Sequence, residues 1–311
     1  MTRPIRYLQE PFNIVEVTVR VIHGRLLLRP SEELNEIVNG VIGRALEMFP
    51  MMRLYNIEVT SNHIHLVLGT PDARCLSRFM CYVNGNLAKE VGKLHGWRQK
   101  IWGRRFRCIP ILDDESLLAR MRYLLSHGCK ENLVARPGDW PGVNSVKALT
   151  EGKKLVGYWF DRTKEYAARR RGEEFGKYDY ATRYEVELSP LPCLEDRSEE
   201  ERRELYRAMV SEIEEEARER RESTRLRPLG RRKVLRMNPH SRPRTSKSSP
   251  APWCHASSIR ARKAFYRAYQ AFYEAYRSAS KRLRSGELDV EFPPGCFPPA
   301  LAFNARAGPG P

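Results

Sequence analysis

The order of apolar patterns over the first 130 residues constrains this chain more than any other feature. Residues 14–22, IVEVTVRVI, alternate apolar and polar and are rich in β-branched side chains, the period of a half-buried strand. Pro30-Ser31 opens a helix over about 31–48, with Ser31 as N-cap and Glu32 and Glu33 in the first turn. Residues 54–60 and 63–69 give two further strands, joined tightly through Ser61-Asn62. A helix follows over about 73–95, residues 105–112 form a fourth strand, and Asp113-Asp114 caps a helix running to about Lys130. The order β-α-β-β-α-β-α predicts a mixed α/β (α+β) fold. Its centre is a split βαβ, ferredoxin-like antiparallel sheet with helices on one face and one helix beyond it.

Alternation also assigns faces. Val15, Val17, Val19 and Val21 make the buried side of strand one and leave Glu16, Thr18 and Arg20 on the other. On strand three Ile64, Leu66 and Leu68 point to the helices, while His63, His65 and Val67 share the opposite face, expected to be open. Two imidazoles at i and i+2 of one strand can hold a divalent cation through neutral nitrogens. They can equally be half-exposed histidines with structural hydrogen bonds, and the H-x-H triplet alone does not decide.

The helix over 115–130 supplies a second element. At about 100° per residue, Leu117, Leu118, Met121, Leu124 and Leu125 gather on one side. Tyr123 falls roughly opposite, beside Ala119, Arg120, His127 and Lys130, and His127 follows it by four residues, on the same face. An exposed helical tyrosine is ordinarily a plain surface residue. Here, downstream of H-x-H, Tyr123 is placed to act as a nucleophile, and His127 to complete a three-nitrogen metal site with His63 and His65.

These residues resemble a known family. Asn62-His63-Ile64-His65-Leu66 looks like the His-hydrophobic-His motif of the HUH single-tyrosine, insertion-sequence-200-like transposases and their REP-associated relatives. Val17 through Arg29 looks like the family's first strand and hairpin. Trp102-Gly103-Arg104-Arg105-Phe106 resembles its stretch before strand four, and Tyr123-Leu124-Leu125 with Trp140-Pro141-Gly142 its tyrosine helix and exit. The likeness spans roughly residues 12–148. His127-Gly128 stands where many relatives carry Asn-Pro, and a histidine there is compatible with metal ligation.

The resemblance implies a transposase of HUH endonuclease fold that nicks and rejoins single-stranded, hairpin-bearing DNA. It implies Mg²⁺ or Mn²⁺, a 5′-phosphotyrosine on Tyr123, and a homodimer in which one tyrosine helix can serve the partner's histidines. Arg120 and Lys130 are placed by the helix to help Tyr123 ionise. Three alternatives stay open: a domesticated DNA-binding protein of the same fold, a replication initiator or relaxase, and an RNA-binding ferredoxin-like module. The set His63, His65, Tyr123 and His127 speaks against the last.

Charge fits a polyanionic partner. The chain has 311 residues, 55 Lys+Arg against 38 Asp+Glu and a net charge of +17. Residues 1–150 carry 21 basic and 14 acidic side chains, a net of +7, which leaves +10 for the rest. Arg98, Lys100, Arg104, Arg105 and Arg107 interleave with Trp97, Trp102 and Phe106, a pattern suited to phosphates and unpaired bases. An ordinary basic edge strand with core aromatics weighs equally. Arg20, on the histidine face, joins the candidate DNA contacts with Arg120 and Lys130. No apolar run is long enough to cross a membrane, and the N-terminus lacks a signal-peptide core. Seven cysteines without a C-x-x-C pair read as reduced thiols. The expectation is a cytoplasmic, nucleoid-associated protein.

The second half reads as a mainly helical extension. Residues 1–150 are taken as the catalytic domain, 151–222 as a mixed and helical extension, 223–258 as a basic linker, and 259–311 as a C-terminal helix with a Pro/Gly-rich tail. Within it, 151–195 resists assignment and 197–222 is a charged helix with a solvated face. The helix over 259–285 carries an aromatic stripe, Phe265, Tyr269, Phe272, Tyr273 and Tyr276, expected to dock on the rest of the chain. The densest basic run, 225–247, ends in Arg242, Arg244 and Lys247. Cys254-His255 has no partner at zinc spacing.

Overall fold

A computed structural model describes residues 6–9, 11–243 and 251–299. The N-terminal half contains β1 (Asn13–Arg20), α1 (Glu32–Met48), β2 (Arg53–Val59), β3 (His63–Thr70), α2 (Ala73–His95), β4 (Arg107–Ile111), α3 (Asp114–Leu125) and α4 (His127–Lys130). Then follow α5 (Val146–Glu151), β5 (Leu155–Phe160), α6 (Arg162–Arg170), β6 (Ala181–Val186), α7 (Glu199–Thr224), α8 (Arg231–Arg236) and α9 (Ile259–Arg284).

The four strands β1–β4 form one sheet in the order β2-β3-β1-β4, every neighbouring pair antiparallel, which is the expected ferredoxin-like arrangement. Ser31, Asp72 and Asp113 each accept a backbone N–H as N-caps of α1, α2 and α3. The valines of β1, Ile64, Leu66 and Leu68 of β3, and the inner faces of α1 and α2 make the main core.

The opposite face is not open. It divides along the strands. Tyr55, Val67 and Ile111 make one half apolar, and Leu117, Met121, Leu124 and Leu125 of α3 lie against it. Tyr206 and Ile213 of α7 and Val146 and Leu149 of α5 close the same cluster from behind. So α7 buries an apolar stripe instead of presenting only a solvated surface. The other half of this sheet face carries the polar side chains of the site. The expected helix over 115–130 is broken at Ser126, whose hydroxyl donates to the Tyr123 carbonyl at 2.8 Å.

The segment 151–195 is a β5–β6 hairpin with α6 between its strands, docked on the outer side of α1. The segment 223–258, read as a linker, is docked along its described length. Leu229 and Gly230 donate to the Asn132 and Leu133 carbonyls, Val234 of α8 is buried with Trp140, and Leu26 donates to Ser241. His255 brackets the end of β4, donating to Pro110 and accepting from Leu112. Arg244, Lys247 and residues 300–311 of the tail lie outside the described residues. The expected hairpin after Val17 is instead a 3-10 turn at Ile22–Gly24, with His23 at φ 54°.

Candidate active site

The register of β1, β3 and β4 builds the polar half-face. Arg20 stands opposite His63, Thr18 opposite His65 and Arg107, and Glu16 opposite Val67 and Ile109. Across the other edge, Glu58 of β2 stands opposite His65. Over this surface α3 and α4 turn a second face, formed by Arg120, Tyr123, His127 and Lys130.

His63, His65 and His127 are buried, and each offers a ring nitrogen within 4.8 Å of the others. Their ring centroids are 4.8, 5.0 and 5.2 Å apart. Hydrogen bonding fixes two tautomers. The Thr60 hydroxyl donates to the His63 carbonyl, so His63 Nδ1–H must donate to Thr60 Oγ1 at 2.8 Å and Asn62 Oδ1 at 2.6 Å. His65 Nδ1–H donates to Glu16 Oε1 at 3.0 Å, with Thr18 Oγ1 at 3.1 Å. These bonds all use Nδ1, so neither Nε2 is occupied by them. His127 Nδ1 is buried without a hydrogen-bond partner. Burial lowers the His63 pKa well below its usual value, with His65, His127 and Arg20 adding to the effect. The same cause, with His65 and Lys130, brings His127 to about 3. Three ring nitrogens gathered within 4.8 Å, one of them buried without a partner, fit a divalent cation.

Glu16 is the hub behind the histidines. Besides His65, it takes His255 Nε2–H on Oε2 at 2.8 Å and Arg120 Nη2 on Oε1 at 3.1 Å. Burial alone would raise this carboxyl, but the bonds from His255 and His65 and the Arg120 charge hold it well below the usual carboxylate range. The carboxylate–histidine pairing is the usual outer shell of a metal-ligating imidazole. Burial pushes the Glu58 carboxyl well above its ordinary value.

The Tyr123 ring is half-buried, 6.3 Å from the His65 ring and 5.8 Å from that of His127. The Arg120 guanidinium lies 4.0 Å and the Lys130 ammonium 4.5 Å from its centroid. Of the candidate residues, the structure brings together Tyr123, the three histidines, Arg120 and Lys130, all within one chain. Arg20 borders them. Backbone bonds from Ile22 to Ile101 and from Gly103 to Arg20 carry the 101–103 segment alongside the end of β1. Exposed Arg104 and Arg105 follow it, and Arg107 is lowered by burial and by the charges of Arg104 and Arg20.

Trp102 is different: its Nε1 donates to the Asn84 carbonyl at 2.8 Å and its ring packs on the main core, so it anchors this segment. Trp97 lies under Arg25 and beside His240, and Arg98 is exposed outside the cluster. Sequence reasoning gave no role to Glu16 or His255. Alternation placed Glu16 on the right face, but the approach of His255, 239 residues away, left no local signal.

No protein-family model and no curated protein matches the sequence. Among solved structures, the chain is similar to a REP-associated tyrosine transposase bound to a REP hairpin. The identity is 18%, the match covers 47% of this chain and 82% of that one, and the TM-score is 0.38. It is also similar to a candidate transposase from Deinococcus radiodurans R1, at 13% identity, covering 40% of this chain and 95% of that one, with a TM-score of 0.29. Similarity this low leaves fold and site to be read from the chain's own residues.

Proposed function

We propose that this chain is a transposase-type enzyme that cuts and rejoins single-stranded DNA by transesterification on Tyr123. The observation that carries the reading is the buried three-imidazole cluster with the Tyr123 ring beside it. His63, His65 and His127 would hold a divalent cation, which when bound polarises a phosphodiester and offsets charge growing on its oxygens. Three nitrogen donors suit Mn²⁺ better than Mg²⁺, whose preferred donors are oxygens.

Tyr123 Oη loses its proton and attacks the phosphorus, the P–O3′ bond breaks, and the leaving 3′ oxygen takes up one proton to end as a free hydroxyl, so bonds and protons balance. The DNA 5′ phosphate stays on the tyrosine as an ester, so the step reverses without an external energy source. Arg120 and Lys130, lying over the ring, stabilise the charge that develops on the phenol oxygen. Arg20, Arg104, Arg105 and Arg107 provide a basic margin for the flanking phosphates. Within one chain the Tyr123 ring lies 6.3 Å from that of His65 and 5.8 Å from that of His127, which supports attack by the same copy that holds the histidines.

The test is incubation with labelled single-stranded hairpin oligonucleotides and Mn²⁺ or Mg²⁺. The expected result is a metal-dependent covalent adduct on a denaturing gel, absent in Tyr123→Phe and sharply reduced in His65→Ala. An intact protein that binds hairpins but forms no adduct with any of them would favour the DNA-binding alternative.

A further inference from the structure

We propose that the outward face of α9, together with Trp253, is a second binding surface for single-stranded DNA, continuous with the Tyr123 site. The aromatic stripe of α9 splits in two. Phe265 is buried and, with Phe272, packs on Tyr7 at centroid distances of 5.4 and 5.0 Å, which docks the helix. Tyr266, Tyr269 and Tyr273, at i, i+3 and i+7, form a neighbouring row. Trp253 joins that row 4.7 Å from the Tyr269 ring and 5.6 Å from the Tyr266 ring. Trp253, Tyr266 and Tyr273 keep 56%, 40% and 42% of their surface exposed. Tyr269 and Tyr273 stand nearly parallel, 9° apart.

The surroundings select the occupant. Helix α9 holds eight basic side chains and one acidic one, Glu274. Arg260, Arg262, Lys263, Arg267 and Arg277 are all exposed, and Arg277 sits 5.9 Å from the Tyr273 ring. A second copy packed through the same face would bring the same sign of charge against it. Exposed rings among arginines instead match a strand whose bases stack and whose phosphates pair with cations. The link to the first site is short. Trp253 is two residues before His255, so their Cα atoms lie within about 7.6 Å, and His255 donates to the same Glu16 that holds His65.

The DNA class rests on the function proposed above, and the test separates the two. Affinity for a labelled oligothymidylate of about 20 nucleotides, longer than one typical binding site, and for a duplex of equal length is measured by fluorescence anisotropy in full-length Tyr123→Phe protein. Adding Trp253→Ala, Tyr266→Ala and Tyr273→Ala should weaken single-strand binding by at least about 10-fold, with duplex binding little changed and the melting temperature preserved. Unchanged single-strand affinity overturns the proposal, as do equal losses on both DNAs. So does a shift in oligomeric state by sedimentation with DNA affinity intact, which would make the face a self-association surface. With Tyr123 restored, adduct formation is scored separately. Loss of single-strand binding in a protein that never forms an adduct would keep this surface and discard the catalytic reading.

Discussion

Glu16 touches side chains from three separate parts of the chain: His65 on β3, Arg120 on α3 and His255 in the C-terminal half. Its negative charge fixes the His65 tautomer and, through Arg120, reaches the Tyr123 ring. Glu16→Gln keeps the shape but loses the charge and turns one acceptor into a donor. It should weaken Mn²⁺ binding by about 10- to 100-fold, read by titration calorimetry on the folded protein; an unchanged affinity would remove Glu16 from the metal site's support. Period-two alternation was enough to place Glu16, His63 and His65 on one face, and helical spacing to place Tyr123 with His127. The burial of that face was not legible, because it depends on α3 folding back over the sheet and on α7 lying behind it.

Helix α1 meets β5 by nearly touching backbones. A Cβ on Gly40 would fall 2.0 Å from the Tyr158 carbonyl carbon, and one on Gly157 would fall 2.3 Å from the Glu36 carbonyl oxygen. No side-chain rotation relieves a clash with main chain, so Gly40→Ala must push the β5–β6 hairpin off the helix. The expected cost is about 3 kcal/mol or more, at or above the upper end of ordinary overpacking, measured by chemical denaturation against wild type. A loss under about 0.5 kcal/mol, the range of neutral surface changes, would show that the hairpin is not seated there. Strands β1–β4 were legible to within two residues because each has a buried apolar face. The hairpin was not, since β6 buries little beyond Val186 and its exposed positions are polar. The run 223–258 read as a linker for a related reason. It docks largely through backbone hydrogen bonds, such as those of Leu229, Gly230 and His255, and these leave no hydrophobic pattern.

The C-terminal half is also joined to the ferredoxin-like half by charge. Glu165 of α6 accepts from Lys93 of α2 at 2.9 Å and bonds Arg162, which also donates to Glu90 of α2 at 2.9 Å. Burial would raise the Glu165 carboxyl, but Arg162 and Lys93 outweigh it and bring it to about 2 from the usual 4.5. A carboxyl depressed on folding stabilises fully above its unfolded value and loses that contribution as pH falls toward the folded one. The gap in melting temperature between wild type and Glu165→Gln should therefore hold from neutral pH down to about 5 and shrink below 4.5. A gap that grows on acidification would contradict the assigned partners. The net charge of +17 now has a distribution: a basic margin beside the histidines and a basic, aromatic face on α9. Among the described residues no helix is long and apolar enough to cross a membrane. The proposed function turns on a covalent step at Tyr123, and mass spectrometry would read that step directly. After reaction with a hairpin oligonucleotide and nuclease trimming, trypsin releases the peptide from Tyr123 to Lys130. That peptide should carry a nucleotide phosphate on Tyr123; the modification on any other residue, or an unmodified peptide from protein that has cut its DNA, would contradict the mechanism.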